Sequence, residues 1–115
     1  MTNKEIIRRV NEGFNSGDTE AILKYVADDV TWECHGFFSH KGIDAFRKEI
    51  HNDAFSGLPV ITVTNELEDG DLVAVEGNVK AKKKDGSDFS CRFFDFYRLK
   101  SGKIKEMRSY LVDIK

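Results

Sequence analysis

The sequence predicts a single α+β domain, helices first and an antiparallel sheet after them. Three observations carry this. The chain has 115 residues, the length of one domain with a core of its own. Apolar residues recur at helical spacing before the lone proline, Pro59, and at a period of two after it. The two patterns are segregated along the chain, which separates α+β from alternating β-α units.

Ile6, Ile7, Val10 and Phe14, with Arg8, Arg9, Asn11 and Glu12 between them, predict an amphipathic first helix. Gly17 and Asp18 end it, and Thr19 can cap a second helix with an apolar stripe of Ile22, Leu23 and Val26. A short strand is expected from Val30 to Cys34, a loop from Gly36 to Gly42, and a third helix from Ile43 to about His51, with Phe46 and Ile50 inward. Val60 to Leu67 reads as a strand, closed by the Asp69-Gly70 turn. The next strand has Val73, Val75, Gly77, Val79 and Ala81 on one face, and Asp85-Gly86 tips the hairpin after it. Phe89 to Leu99 follows, with Cys91, Phe93, Asp95 and Tyr97 on one face and Arg92, Phe94, Phe96 and Arg98 on the other. Ser101-Gly102 turns the chain into a last strand, Ile104 to about Ile114, where Met107, Ser109, Leu111 and Asp113 share a side. A curved sheet around helices leaves a concave, apolar mouth, which is where pockets form.

Composition narrows the function classes. The hydrophobic fraction is 40% and the charged fraction 33%, so the chain reads as globular. A net charge of -2 draws it neither to nucleic acid nor to an anionic membrane. Cys34 and Cys91 are too few and too far apart for a disulfide framework or a zinc site, and are expected as reduced thiols in a cytoplasmic protein. No signal peptide and no apolar run long enough to span a bilayer is visible. His35, His40 and His51 are scattered, so neither a metal nor a cofactor is expected.

Phe14-Asn15-Ser16-Gly17-Asp18 ends the first helix, and Ala27-Asp28-Asp29-Val30-Thr31-Trp32 leads into the first strand. Phe96 to Ile104, followed by Met107-Arg108-Ser109-Tyr110, forms the closing hairpin. Through these three stretches, in this order, the chain from roughly Asn11 to Asp113 resembles the nuclear transport factor 2-like superfamily, and within it the SnoaL-like and ketosteroid isomerase-like proteins. The resemblance implies a cone-shaped roll, a curved antiparallel sheet wrapped around three N-terminal helices and enclosing an apolar pocket. That fold hosts isomerases, cyclases, dehydratases, epoxide hydrolases and non-catalytic binders. Against the isomerases, Cys34 falls where the catalytic carboxylate sits, Val10 where a tyrosine donor sits, and Asp95 where a protonated acid sits. Ser109 falls where other members carry an acid on the last strand. Valine has no hydrogen-bonding group, so ketosteroid isomerase activity is not expected.

Asp95 is therefore the candidate acid, set between aromatic residues that would raise its pKa by desolvation. The alternative is a structural carboxylate anchored by an amide or arginine. Tyr97 and Ser109 are expected to assist. Val10, Phe14, Trp32, Cys34, Phe46, Phe55, Val75, Phe93, Met107 and Leu111, with Phe37, are expected to line the ligand site, and His40 lies in the loop at its rim. A buried cysteine is more often a small hydrophobe than a nucleophile, and no histidine is arranged to activate Cys34. The reading is a binding protein for a small apolar or cyclic molecule, with acid-base chemistry at Asp95. Its rivals are a non-catalytic dimeric or accessory module with a vestigial pocket, and a protein-interaction module using the open sheet face. Phe94 and Phe96 on that face are expected to pack against a second copy.

Overall fold

In the computed structural model, residues 1–51 and 55–114 are described. Helix α1 spans Asn3–Ser16. Thr2 starts it through a reciprocal capping box with Glu5. Gly17, at φ 72°, ends it in the left-handed conformation that a residue with a Cβ resists. The second helix, α2, is Thr19–Leu23. Its cap is Asp18, whose carboxylate accepts from the Ala21 N–H, and not Thr19 as expected. The short stretch Asn15 to Asp18 thus carries three separate jobs. Besides the cap and the left-handed glycine, the Asn15 side chain accepts from the Ile61 N–H at 2.7 Å and donates to the Ile61 carbonyl at 3.1 Å.

Strand β1 is Val26–Cys34 and begins four residues earlier than expected. Val26 fits the helical stripe after Ile22 and Leu23, yet it opens the strand. The Ile104 N–H donates to the Tyr25 carbonyl at 2.7 Å and draws the chain into the sheet there. A second correction lies in the expected loop, where Phe38–Lys41 forms strand β2, paired antiparallel with β1 from Thr31↔Lys41 to Cys34↔Phe38. Helix α3 follows at Ile43–Ile50, with His51 as its C-cap. Then come β3 (Phe55–Asp69), β4 (Leu72–Lys83), β5 (Asp88–Lys100) and β6 (Lys103–Asp113). The Asp69-Gly70 and Ser101-Gly102 turns and the Asp85-Gly86 tip fall where the sequence puts them.

The six strands form one sheet in the order β2-β1-β6-β5-β4-β3. The sequence predicts a wholly antiparallel sheet; instead β1 and β6 run parallel, from Val26↔Ile104 to Cys34↔Ser109. The chain leaves β1, reverses at β2, crosses over through α3, and returns beside β1 only after three hairpin strands. Curvature has a local cause. The β3–β4 register slips between Val63 and Asn65, a bulge that bends its strand. Gly77 sits opposite Val63. A Cβ there would lie 2.1 Å from the Thr62 carbonyl oxygen and 3.0 Å from the Phe93 ring, so only glycine fits.

The core fills the concave side. Ile6, Ile7 and Val10 of α1, Ile22 and Leu23 of α2 and Phe46 of α3 pack on Val30, Trp32, Val73, Val75, Tyr97, Leu99, Ile104 and Met107. Both cysteines are free and buried. No described helix is long and apolar enough to cross a membrane.

Candidate functional site

Sheet register lines up the candidate residues in rungs across the concave face. One rung runs Cys34, Ser109, Asp95, Val75 over strands β1, β6, β5 and β4. The rung toward the narrow end is Trp32, Met107, Tyr97, Val73. The rung toward the mouth is Leu111, Phe93, Gly77. Asp95 faces inward, as the period of two requires, and is only 9% exposed.

Its hydrogen bonds have a direction. The Tyr97 hydroxyl donates to Asp95 Oδ2 at 3.3 Å. The Ser109 hydroxyl also bonds the carboxylate. Ser109 Oγ in turn accepts from the Trp32 indole N–H at 3.2 Å. Ser109 and Tyr97 therefore both donate to Asp95, and Trp32 donates to Ser109 behind it, an arrangement that suits an acceptor at Asp95.

Burial pushes the Asp95 carboxyl up to about 6, against the two hydroxyl bonds, which pull it down. No lysine, arginine or histidine among the described residues enters that balance. At pH 7 a group of this pKa is ionised by about ten to one. Asp95 is thus an acceptor at neutral pH and a proton donor only below about pH 6. Burial, and then the Asp95 charge, push the Cys34 thiol up to about 11, so Cys34 stays protonated and is no nucleophile at neutral pH. Burial and Asp95 likewise raise the Tyr97 phenol well above its ordinary range.

The remaining candidates divide into three groups. Val10 and Val75 are closed off in the packed core. Phe14 and Phe46 reach the site through Trp32, with ring centroids at 6.2 and 4.5 Å from it. Phe55 stands apart, edge-on to Phe89 at 5.2 Å, near the mouth. Phe37 is mostly exposed there. A cleft of about 300 Å³ opens at that end, between Phe37, Lys83, Phe89, Cys91, Leu111 and Asp113. Leu111 is shared by this cleft and by the rung above Asp95. A larger groove of about 560 Å³ lies at the opposite end, around Asn3, Gly70, Arg98 and Lys105. It is charged, open and remote from Asp95.

Sequence reasoning missed one pair. His40 Nε2 lies 2.7 Å from Glu49 Oε1, and the imidazole stacks on Phe38, which stands edge-on to Trp32. Only the unforeseen β2 strand brings His40 beside Trp32. Among the described residues, no group of three or more His, Cys, Asp or Glu is placed to hold a metal ion.

A six-stranded curved sheet closed on its concave side by three helices, with a buried polar cluster near the open end, defines the nuclear transport factor 2-like class. Residues 7–107 match the family model for the SnoaL-like domain, and the chain belongs to that family. No curated protein sequence matches it. Among solved structures it is similar to an NTF2-like protein of unknown function from Burkholderia pseudomallei, at 19% identity and TM-score 0.89, over 97% of this chain and 92% of that one. It is also similar to TerC, co-crystallised with polyporic acid, at 22% identity and TM-score 0.83, over 96% and 91% of the two chains. A protein of ketosteroid isomerase-like fold from Catenulispora acidiphila, in complex with trimethylamine, matches at 20% identity and TM-score 0.83, over 95% and 86%. At such identities the likeness is one of fold.

Proposed function

We propose that the chain binds a small molecule that reaches Asp95 from the mouth of the cone, and that Asp95 accepts a proton or a hydrogen bond from it. The observation that carries this is a carboxyl nine-tenths buried on the concave face, served by two hydroxyl donors and without a basic neighbour among the described residues. A structural anchor would be held by a cation or by backbone N–H groups, and neither enters the balance at Asp95. The apolar surroundings, Phe93, Leu111 and Trp32, suit a ligand with an apolar body. The test is an NMR screen of small apolar compounds that bear one polar group. Binders should shift the Trp32 indole N–H and the Asp95 carboxyl carbon together. Binders that move only surface resonances, leaving both unchanged, would overturn the reading.

Binding without turnover is the second reading, and Cys34 and Val10 favour it. A thiol held protonated and a buried valine give Asp95 no ionisable partner to pass a proton to. Turnover of a β,γ-unsaturated ketosteroid should be absent, since loss of even one oxyanion donor costs about two to three powers of ten in rate. The outer face supports a homodimer packed sheet to sheet. Phe94 and Tyr110 are adjacent there, 6.5 Å apart and each about 40% exposed (42% and 40%), with Val112 more open beside them.

A further inference from the structure

We infer that the ligand held at Asp95 is a small organic ammonium compound, a tertiary or quaternary amine. This rests on the reading that the ligand reaches Asp95, and narrows it by asking what the site still lacks.

The site has spent its donors. Tyr97 O–H and Ser109 O–H are directed at the carboxylate, and Trp32 N–H at Ser109. A ketone or a carboxylate ligand needs donors; to supply them Tyr97 and Ser109 would have to leave an ionised carboxylate, and Trp32 the Ser109 hydroxyl. An anionic ligand would in addition meet Asp95's own charge in a dry site. A ligand that fits must bring positive charge or a hydrogen.

Positive charge is what the site lacks. A buried carboxylate is normally matched by a cation, because its lost hydration is otherwise uncompensated. Among the described residues none is matched to Asp95. On the outer face of the sheet, Arg98 lies 3.3 Å from Asp71, and Arg108 sits 4.8 Å over the Phe96 ring.

The residues beside the carboxyl are aromatic. Phe93 and Tyr97 flank Asp95 at i−2 and i+2 on the same face of β5, about 7 Å to either side along the strand. Trp32 stands across Ser109. Aromatic faces attract the diffuse charge of an N-methylated cation, most strongly where water is excluded. A neutral alcohol could donate to Asp95, but it would leave the charge in place and gain nothing from the rings.

Tyr97 of β5 bonds Asp95, and Asp95 acts on Cys34 of β1; burial raises both Tyr97 and Cys34, so both stay protonated at neutral pH. Glu49 from α3 and Cys91 from β5 act on Cys34. Inward residues Val10 and Phe14 of α1 carry no charge. Protonation of Asp95 itself should therefore dominate the pH dependence of cation binding.

The experiment compares choline with its uncharged isostere 3,3-dimethylbutan-1-ol. Both are titrated into the protein at constant ionic strength, and binding is read from the indole N–H of Trp32, the one tryptophan of the chain. At pH 8 choline should bind at least about tenfold more tightly, the scale of a desolvated cation–π contact. In Asp95→Asn the preference should vanish. In the parent it should shrink by about tenfold between pH 8 and pH 5, as Asp95 protonates. That pH series gives the same answer from the parent protein should the variant fold poorly. The inference falls if the isostere binds as well as choline, or if Asp95→Asn retains the preference. If the isostere shifts Trp32 and choline does not, the pocket reading survives and the ammonium inference fails. If neither shifts it and the wider screen also moves neither Trp32 nor Asp95, both fail.

Discussion

The two faces of β5 handle charge in opposite ways. Outside, Arg98 lies between Asp71 at 3.3 Å and Glu106 at 3.7 Å, all partly exposed, and Arg108 shares Glu106. Water screens these charges, so each pair contributes little and each can be changed cheaply. Inside, Asp95 has no counter-ion among the described residues and almost no water. Its behaviour is set by desolvation, and it responds strongly to pH and to whatever binds. One strand, alternating residue by residue, thus carries a tolerant surface and a sensitive one.

The sharpest way to break this comparison is to truncate two adjacent phenylalanines. Phe93 is 6% exposed and Phe94 is 42% exposed. Phe93→Ala should cost about 3–5 kcal/mol in urea unfolding. Phe94→Ala should change monomer stability by only about 0.5 kcal/mol. Equal effects would mean that the outer face is as tightly packed as the inner one.

A smaller effect is expected from Asp95→Asn, and it has a sign. The carboxyl pKa is raised from 3.8 to about 6 in the folded chain. Stability from this group is fully present below pH 3.8 and is lost as pH rises through about 6. The loss is on the order of 3 kcal/mol. Denaturation measured from pH 4 to pH 8 should show this decline in the parent and little of it in Asp95→Asn. The variant should be the more stable of the two near pH 7. A variant that is clearly less stable there, with a carboxyl titrating near 4 in the parent, would make Asp95 a structural anchor.

A small effect on the fold should come from Phe96→Glu, with its main consequence in assembly. Phe96 is partly exposed and covered by Arg108. Loss of that contact should cost about 0.5–1 kcal/mol. Light scattering should show the parent as a dimer and the variant as a monomer. A parent that is monomeric at high concentration, or a variant that stays dimeric, would remove the sheet face as an interface.

Much of this was legible in the sequence where two periodicities disagree sharply. The stretch Phe89 to Leu99 alternates long enough that only one assignment of faces is consistent, so Asp95 could be placed inward from sequence. Strand β2 has four residues between two glycine-containing turns, too few for alternation to register. Val26 kept its helical spacing because nothing local shows that Ile104, far along the chain, will bond beside it. The parallel β1–β6 pairing has no local signal either, and the Trp32–Ser109 contact depends on it entirely. The direction of the hydrogen bonds at Asp95 could not be read from alternation, which gives faces and not donors. It changes the expected protonated acid into an acceptor at neutral pH.

Asn15 has a consequence for solubility. Strand β3 is fifteen residues long and lies at the margin of the sheet, with Val60 and Leu67 largely exposed. Such a margin is a template on which a foreign strand can grow. By giving the Ile61 N–H and carbonyl one acceptor and one donor, the Asn15 amide imitates the first residue of a seventh strand and occupies the place where docking would begin. The carboxamide at the end of a helix thus takes up one of the points on this edge where edge-to-edge association would begin.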